Sequence, residues 1–314
     1  MPHLTDQPVI RMPGLHLGSP TTYGPLTIFP VWTDAPLTSR RPYTTATARG
    51  ATVAELSDGP HVGRLQVTHD GHRPRVLFGG MLLEAGWQHR VLLDDVAVAR
   101  GAHQLVDVAC VEQNRWGGGR DQRPGRRVAP LAVRGATHGL RPTDQPRPDV
   151  QRERRADQDD VWRRVARYER MHGASVTSSL VEVAARLEDQ VRALVALVQP
   201  LPGQRGVLIG VGGHPVLLEV FDHPRTLAEQ WAGILGSVWM DAQAALPVPT
   251  SGHRARVFVQ RVSSTPVQAA DHAGAGRRLV VEDGSLVSGR GLALGETLVH
   301  AAVLNARHDL VLAA

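Results

Sequence analysis

Residues 88–116 read QHRVLLDDVAVARGAHQLVDVACVEQNRW, and this stretch indicates the class of fold. Residues 90–98 and residues 103–110 each have the length and the apolar, β-branched composition of a β-strand. Arg100 and Gly101 lie between the two runs and predict a turn. The stretch therefore predicts two strands joined by a short connection.

The residues before this pair extend the β-rich region. Residues 26–31 and 75–78 are short apolar runs, and residues 61–67 alternate between apolar and polar as a half-buried strand does. We therefore expect a β-sandwich or a barrel-like layer over residues 1–116.

The next segment, residues 117–158, has a different composition. It opens with three consecutive glycines, contains several prolines and has few apolar residues. Such a composition cannot bury much apolar surface, so it predicts a basic loop or insert that is partly disordered.

The last region, residues 159–314, predicts helices and a second portion of mixed α and β structure. Helices are predicted over residues 161–171, 180–198 and 226–246, and Ser179 with Glu182 forms a capping box for the second. A hairpin is predicted around Gly212 and Gly213 rather than a dinucleotide-binding loop, because a strand follows it. Further strands are predicted over residues 256–262, 278–282, 285–288 and 297–304. The expected fold class is α+β.

The basic residues are unusual in type and in placement. All 35 are arginine, and the formal net charge is +5. Eleven of these arginines fall between Arg115 and Arg155 against four acidic residues, which leaves the rest of the chain slightly acidic. Because arginine keeps its charge and grips phosphate with a planar fork, this segment predicts a polyanionic partner.

Several classes of protein are disfavoured by composition. No run of about 18 uncharged apolar residues predicts a membrane helix, and residues 1–18 lack the pattern of a secretory signal. The single cysteine, Cys110, excludes an internal disulfide and a zinc site built on several cysteines. The histidines show no metal-binding motif. We expect a cytoplasmic protein without a metal, a cofactor or a membrane partner.

Two segments resemble the signature stretches of a known family. Gln88 to Leu92 and Cys110 to Trp116 are similar to those of the ADP-ribosylglycohydrolase- and rhodanese-phosphatase-associated protein domain, with support from residues 23–27, 201–204, 218–222 and 284–300. The family is linked by name and gene neighbourhood to ADP-ribose and NAD metabolism. Where the family pattern has two glutamates and a lysine, this chain has Met81, Leu82 and Trp87. That departure favours binding over catalysis.

The signature residues support two interpretations. Gln88, Arg90, Glu112, Gln113, Arg115 and Trp116 supply the amides, guanidinium groups, carboxylate and aromatic plane that an ADP-ribose-like ligand requires. Alternatively, they form a structural corner in which Arg115 pairs with Glu112 or Glu84 and Trp116 covers the core. Cys110 is either a nucleophile activated by His89 or His103 or, as we favour, a small buried residue.

The basic segment supports a second function. The predicted nucleic-acid contacts are Arg115, Trp116, Arg120, Arg123, Arg126 and Arg127. Arginines on a flexible backbone can follow phosphates, and an exposed tryptophan can stack on a base. The alternative is a solvated insert neutralised by Asp157, Asp159 and Asp160. The sequence thus predicts a non-catalytic DNA-binding accessory protein in DNA damage or stress, or else a sensor or processing enzyme for ADP-ribose or NAD-derived metabolites. It assigns no catalytic residue.

Overall fold

The structure is a computed structural model that describes residues 10–46, 51–142 and 157–314. The first strands in the chain are β1 Leu15–Leu17, β2 Thr21–Tyr23, β3 Leu26–Thr33, β4 Thr44–Thr45, β5 Ala51–Ala54, β6 Arg64–His69, β7 Arg75–Leu77, β8 Met81–Ala85, β9 Arg90–Leu92, β10 Val96–Val98, β11 His103–Cys110 and β12 Asp121–Val128. The later strands are β13 Gly206–Val211, β14 His214–Phe221, β15 Val267–Ala273, β16 Gly276–Glu282, β17 Val287–Leu294 and β18 Thr297–Asn305. The helices are α1 Leu131–Thr137, α2 Gln158–His172, α3 Leu180–Arg186, α4 Glu188–Leu197, α5 Pro224–Ala242, α6 Gly252–Ser264 and α7 Asp309–Leu312.

A nine-stranded antiparallel sheet organises the molecule. Its order is β1-β3-β13-β14-β18-β17-β16-β15, and β2 also pairs with β3. β13 is buried at all six positions because helices cover both faces of the sheet. Ile209 belongs to the core cluster that includes Trp231 of α5, whereas Leu208 belongs to the cluster that includes Phe258 of α6. A continuous apolar run is therefore required in this strand.

Six other strands close into a barrel in the order β11-β6-β5-β12-β8-β9. A separate core cluster that includes Leu65, Val67, Leu83 and Val106 packs in this part of the molecule. β4, β7 and β10 form a small three-stranded sheet. The expectation of a sandwich or a barrel is thus resolved as a barrel, and the α+β fold class is confirmed.

Close backbone contacts join the large sheet to the three-stranded sheet, and helix α5 to the barrel. The amide of Ala275 donates to the carbonyl of Ala97 in β10 at 2.6 Å. Gly233 of α5 lies where a Cβ atom would collide with the carbonyl oxygen of Arg126 in β12. Because β3 precedes the barrel in the chain but pairs with β13, which follows it, the barrel is built from a segment inserted between two neighbouring strands of the sheet.

Several sequence-based predictions were wrong. Residues 90–98 form two strands, β9 and β10, in different sheets, and residues 180–198 form two helices, α3 and α4. Residues 121–137 were expected in a loop, but they form β12 and α1. Proline and glycine fit in β12 because its pairing with β8 is irregular between Pro124 and Val128, where a ladder donor is not required. Residues 143–156 of the same prediction lie outside the described residues. Residues 256–262 were expected as a strand but belong to α6, which begins at the cap residue Ser251.

Within the part of the chain that the structure describes, no helix combines the length and the apolar character needed to cross a bilayer.

Candidate functional site

The signature residues meet at one end of the barrel, where β9 pairs with β11. Arg90 lies opposite Cys110 in this pairing. The side-chain amide of Gln88 donates to the carbonyl of Glu112 at 2.9 Å, and Nη1 of Arg90 donates to Oε1 of Gln88 at 3.0 Å. All four residues are buried. The two signature segments therefore meet in a network of direct contacts.

Glu112 is the centre of the corner. Its carboxylate accepts hydrogen bonds from Nε and Nη2 of Arg115 at 2.8 and 2.7 Å. It also accepts from the hydroxyl of Thr177 at 2.7 Å and from the backbone amide of His89 at 2.9 Å. Burial acts to raise the pKa of Glu112, but these donors outweigh it and lower the pKa below the ordinary value. The group is held as a carboxylate.

Arg115 is fully engaged by the protein. Besides its two bonds to Glu112, it donates to the carbonyls of Gly86 at 2.7 Å, Gly117 at 3.2 Å and Ala85 at 3.3 Å. A guanidinium has five N–H donors, so the fork that could grip a phosphate is already occupied. The corner matches the structural interpretation for the pairing of Arg115 with Glu112. It departs from that interpretation at Trp116, whose side chain is 56% exposed.

Cys110 is fully buried and has no base for activation among its hydrogen-bond partners in the described residues. Its thiol donates to the carbonyl of Glu112 at 2.7 Å and accepts from Nη1 of Arg90 at 3.5 Å. Burial is the largest influence on the thiol and raises its pKa. His103 is exposed at the opposite end of β11, and Nδ1 of His89 accepts from the amide of Ala85. These features match the interpretation of Cys110 as a structural residue.

The arginines predicted to bind nucleic acid fall into two groups. Arg127 pairs with Glu84 and with Glu188, each at 2.7 Å. The solvent-facing group on or next to β12 consists of Arg120, Arg123 and Arg126, with Gln113 and Trp116 exposed nearby in sequence. Two further arginines of the basic segment are also paired: Arg134 with Glu219 and Arg141 with Asp157. Arg147, Arg152, Arg154 and Arg155 lie outside the described residues.

A buried charged network lies where the large sheet packs against α1 and the connection between β9 and β10, and sequence reasoning missed it. Nδ1 of His300 lies 2.7 Å from Oδ2 of Asp95, and Nε2 lies 2.6 Å from Oε2 of Glu219. Arg134 completes the chain with a 2.8 Å ion pair to Glu219. All four side chains are buried.

The charge states of this network follow from its geometry. Burial acts to lower the pKa of His300, but Asp95 and Glu219 outweigh it and raise the pKa to about 9. Burial acts to raise the pKa of Glu219, yet Arg134 and His300 hold it below the ordinary value. Both ring nitrogens of His300 must donate to satisfy the two carboxylates, which requires the imidazolium form.

One signal in the sequence could have identified part of the network. Glu219 lies in the run VLLEVF and His300 lies in the run LVHAAV, so each is an ionisable residue inside a buried apolar strand. A buried charge is retained only when it is paired, which points to partners from elsewhere in the fold. Both residues fall in segments that carried the family resemblance, but the resemblance gave them no role.

The fold and these contacts define a mixed α and β protein with a closed barrel, a large antiparallel sheet and a buried ionic network on that sheet. The family model for the ARG and Rhodanese-Phosphatase-superfamily-associated Protein domain matches residues 14–304, and the chain belongs to this family. Neither the comparison with curated proteins nor the comparison with solved structures found a match.

Proposed function

We propose that this protein is a non-catalytic nucleic-acid-binding accessory protein. Its phosphate contacts would come from Arg120, Arg123 and Arg126, and Trp116 would stack on an exposed base. The observation that carries the proposal is the division of the basic segment into paired arginines and these three solvent-facing ones.

Arg120, Arg123 and Arg126 carry charge that the protein does not neutralise. Within the described residues, none of the three arginines forms an ion pair, and Arg120 alone among them has a side-chain hydrogen bond, at 3.2 Å to the carbonyl of Glu55. An arginine that keeps its donors facing water can exchange them for phosphate oxygens and release condensed counterions. Arg115 and Arg127 cannot do so without breaking pairs with Glu112, Glu84 and Glu188.

The shape of the segment supports binding without sequence preference. Arg123 and Arg126 belong to β12, a strand of a closed barrel, so their backbones are held in place. Trp116 precedes this strand and leaves more than half of its side chain in water, which is costly for a large aromatic group with no partner. Base stacking on such a side chain is tolerant of sequence.

The test uses the double substitution Arg123→Gln and Arg126→Gln, which leaves the contact of Arg120 with the barrel intact. Gel shifts or fluorescence anisotropy with DNA of mixed sequence should be recorded over a series of salt concentrations. Each phosphate contact contributes roughly 0.7 to 0.9 to the slope of log K against log salt. The double variant should therefore bind less tightly for every sequence and lose about 1.5 from the slope.

A matched control removes the same charge elsewhere. Arg192→Gln and Arg256→Gln alter two exposed arginines on α4 and α6. This variant should keep the wild-type slope, because neither side chain belongs to the proposed contact surface. A general effect of net charge would instead lower the slope of both variants alike. Equal affinities and slopes in the β12 double variant and the wild type would reject the proposal.

A second candidate is binding or processing of ADP-ribose or NAD-derived metabolites. The family description, which associates the domain with ARG, the ADP-ribosylglycohydrolase, favours it. Gln113 and Trp116 are exposed and could contact such a ligand. Glu112 and Arg115 could do so only after their ion pair is broken. A ligand that binds the native state raises the melting temperature, so ADP-ribose and NAD should be tested in a thermal-shift series. Unchanged melting at millimolar ligand would argue against this candidate.

A further inference from the structure

Two of the six tryptophans differ from the others in the state of the indole N–H. Trp87 and Trp116 make no hydrogen bond through it within the described residues, and both side chains are at least partly exposed. The N–H groups of the other four donate to protein acceptors or are buried: Trp32, Trp231, Trp239 and Trp162. An aromatic side chain with an apolar ring and an unused donor in water is typical of a surface that binds a partner.

These two tryptophans lie on neighbouring loops at one end of the barrel. Trp87 is in the connection between β8 and β9, and Trp116 is in the connection between β11 and β12. The amide of Gly117 donates to the carbonyl of Trp87 at 3.4 Å, so the two loops are in direct contact. The backbones that carry the two indoles are therefore adjacent.

Arg115 holds both loops in place. Its guanidinium donates to the two carbonyls that precede Trp87 and to the carbonyl that directly follows Trp116. The carboxylate of Glu112 fixes the same guanidinium with two further bonds. Because the backbone beside each indole is already ordered, a ligand that binds there loses little affinity to the ordering of loops.

The backbone around this corner is also strained. Ala85 and Ser178 are the only residues other than glycine with a positive φ in the described part of the chain, at +75° and +51°. The carbonyl of Ala85 accepts from Arg115 at 3.3 Å, and the carbonyl of Ser178 accepts from the amide of Gln113 at 3.3 Å. Such strain persists only where neighbouring contacts enforce it, and it is concentrated at functional sites.

The arginines without an ion pair continue from this end of the barrel along one strand. Arg120 lies directly before β12, and Arg123 and Arg126 lie within it. Residues three apart face opposite sides of a regular strand, but the pairing of β12 with β8 is irregular between Pro124 and Val128. Both Arg123 and Arg126 are exposed as a result. A single row of cations next to two aromatic side chains suits one phosphodiester chain and its bases.

We propose that the ligand of this surface is single-stranded nucleic acid, with Trp87 and Trp116 each stacking on an unpaired base. The exposed arginines on and before β12 would contact the phosphates that follow. Arg115 is a positioning residue, which orders the two loops without touching the ligand. The inference rests on the proposed nucleic-acid binding and adds to it the strandedness of the ligand and a second stacking side chain.

A duplex cannot use the two indoles in the same way. Its bases are paired and stacked, so an indole reaches the face of a base only after a base step is unstacked. In a single strand every base offers a face, and loss of one stacking side chain weakens binding by about 5- to 150-fold. Two indoles on ordered loops therefore favour the single strand.

The first test compares three ligands for the full-length wild type by fluorescence anisotropy at physiological salt. The ligands are an oligothymidylate of about 12 nucleotides, an abasic strand of the same length, and a duplex of that length with both ends closed by glycol linkers. The abasic strand keeps the phosphates and lacks the bases. We expect the oligothymidylate to bind at least about 5-fold more tightly than either of the others.

The substitution Trp116→Ala tests the stacking directly. It should weaken binding of the oligothymidylate by about 5- to 150-fold. Binding of the abasic strand should not change, because the phosphate contacts remain. Leu246→Ala is the matched control, since Leu246 is 75% exposed and lies between α5 and α6. This variant should bind all three ligands as the wild type does.

The substitution Arg115→Gln tests the positioning role. Arg115 is already paired with Glu112, so its replacement removes no proposed phosphate contact. The variant should lose more affinity for the oligothymidylate than for the abasic strand. Damage to the fold as a whole would lower both affinities together, and equal losses would reject the positioning role.

The wild-type comparison needs no variant and separates this inference from the proposed function. Equal affinity for all three ligands would overturn the inference and leave nucleic-acid binding in place. A Trp116→Ala variant that keeps the wild-type preference for the oligothymidylate would overturn it as well. Binding to none of the three ligands would reject the proposed function itself, and the inference with it.

Discussion

Nε2 of His300 lies 2.6 Å from Oε2 of Glu219, where the large sheet packs against α1 and the connection between β9 and β10. Asp95 holds the other ring nitrogen at 2.7 Å, so the imidazolium is fixed between two carboxylates. This arrangement couples the stability of the fold to the protonation of one side chain, because loss of the proton leaves two buried carboxylates with one donor fewer.

The first prediction concerns pH. The pKa of His300 is raised from 6.5 in the unfolded chain to about 9 in the native state. The proton therefore contributes stability that is fully present below pH 6.5 and is lost as the pH rises through 9. Urea unfolding should give a free energy of unfolding that falls by a few kcal/mol between pH 7 and pH 10. In His300→Gln this fall should be smaller, and parallel pH profiles for the two proteins would contradict the assignment.

The second prediction concerns the pair formed by Glu112 and Arg115. Glu112→Gln should lower the free energy of unfolding by about 1–3 kcal/mol, because it removes charge-assisted bonds at a buried site. A double-mutant cycle with Arg115→Gln should give a coupling energy of about 0.5–3 kcal/mol. The exposed Arg192→Gln provides the comparison, and its ion pair on α4 should contribute no more than about 0.5 kcal/mol. Coupling near zero between Glu112 and Arg115 would show that the corner is not held by this pair.

The third prediction concerns the reactivity of Cys110. Its thiol is buried, donates to the carbonyl of Glu112 and has a raised pKa, so little thiolate is present near neutral pH. A thiol reagent such as DTNB should label the native protein only at the rate of opening, and labelling should become immediate in denaturant. Rapid stoichiometric labelling of the native protein would instead favour the nucleophile interpretation.

The fourth prediction concerns the junction at Gly274. This residue has a φ of +67°, and a Cβ atom there would collide with the carbonyl oxygen of Ala97. Gly274→Ala should therefore cost about 1–2 kcal/mol for the left-handed backbone and about 1–3 kcal/mol more for the collision. Gly284→Ala is the control, since Gly284 has a φ of +72° and open space around it. Thermal or urea unfolding should rank Gly274→Ala as the less stable variant; equal losses would exclude a close approach at Ala97.

Local patterns were sufficient to predict much of the β structure. β11 has the predicted bounds, and the hairpin of β13 and β14 turns at Gly212 and Gly213 as expected. The misassigned helix α6 shows where such reasoning fails. The run Arg-Val-Phe-Val at residues 256–259 has β-type composition, but Ala255, Phe258, Val259 and Val262 are the buried positions and recur at helical spacing.

The candidate site was predictable only where its members are close in the chain or lie on adjacent strands. Arg90 and Cys110 meet because β9 and β11 pair, as the signature segments suggested. His300, in contrast, is separated by 205 positions from Asp95 and by 81 from Glu219. Nothing local marks such partners. A charged residue in an apolar strand predicts that a counter-charge exists but not where the fold will bring it from.

The insertion of the barrel between β3 and β13 has a consequence for synthesis of the chain. β3 can pair with β1 and β2 along one edge as soon as β3 is synthesised. Its other edge stays unpaired until β13 is synthesised. Thr33 at the end of β3 and Arg205 just before β13 are 172 positions apart. At about 5–20 residues per second, translation takes roughly 10–30 s to cover that distance. During this interval the unpaired edge of β3, a mostly apolar strand, is accessible to other chains. The yield of native protein should therefore depend on translation speed and on the chaperones that shield β3 at the ribosome.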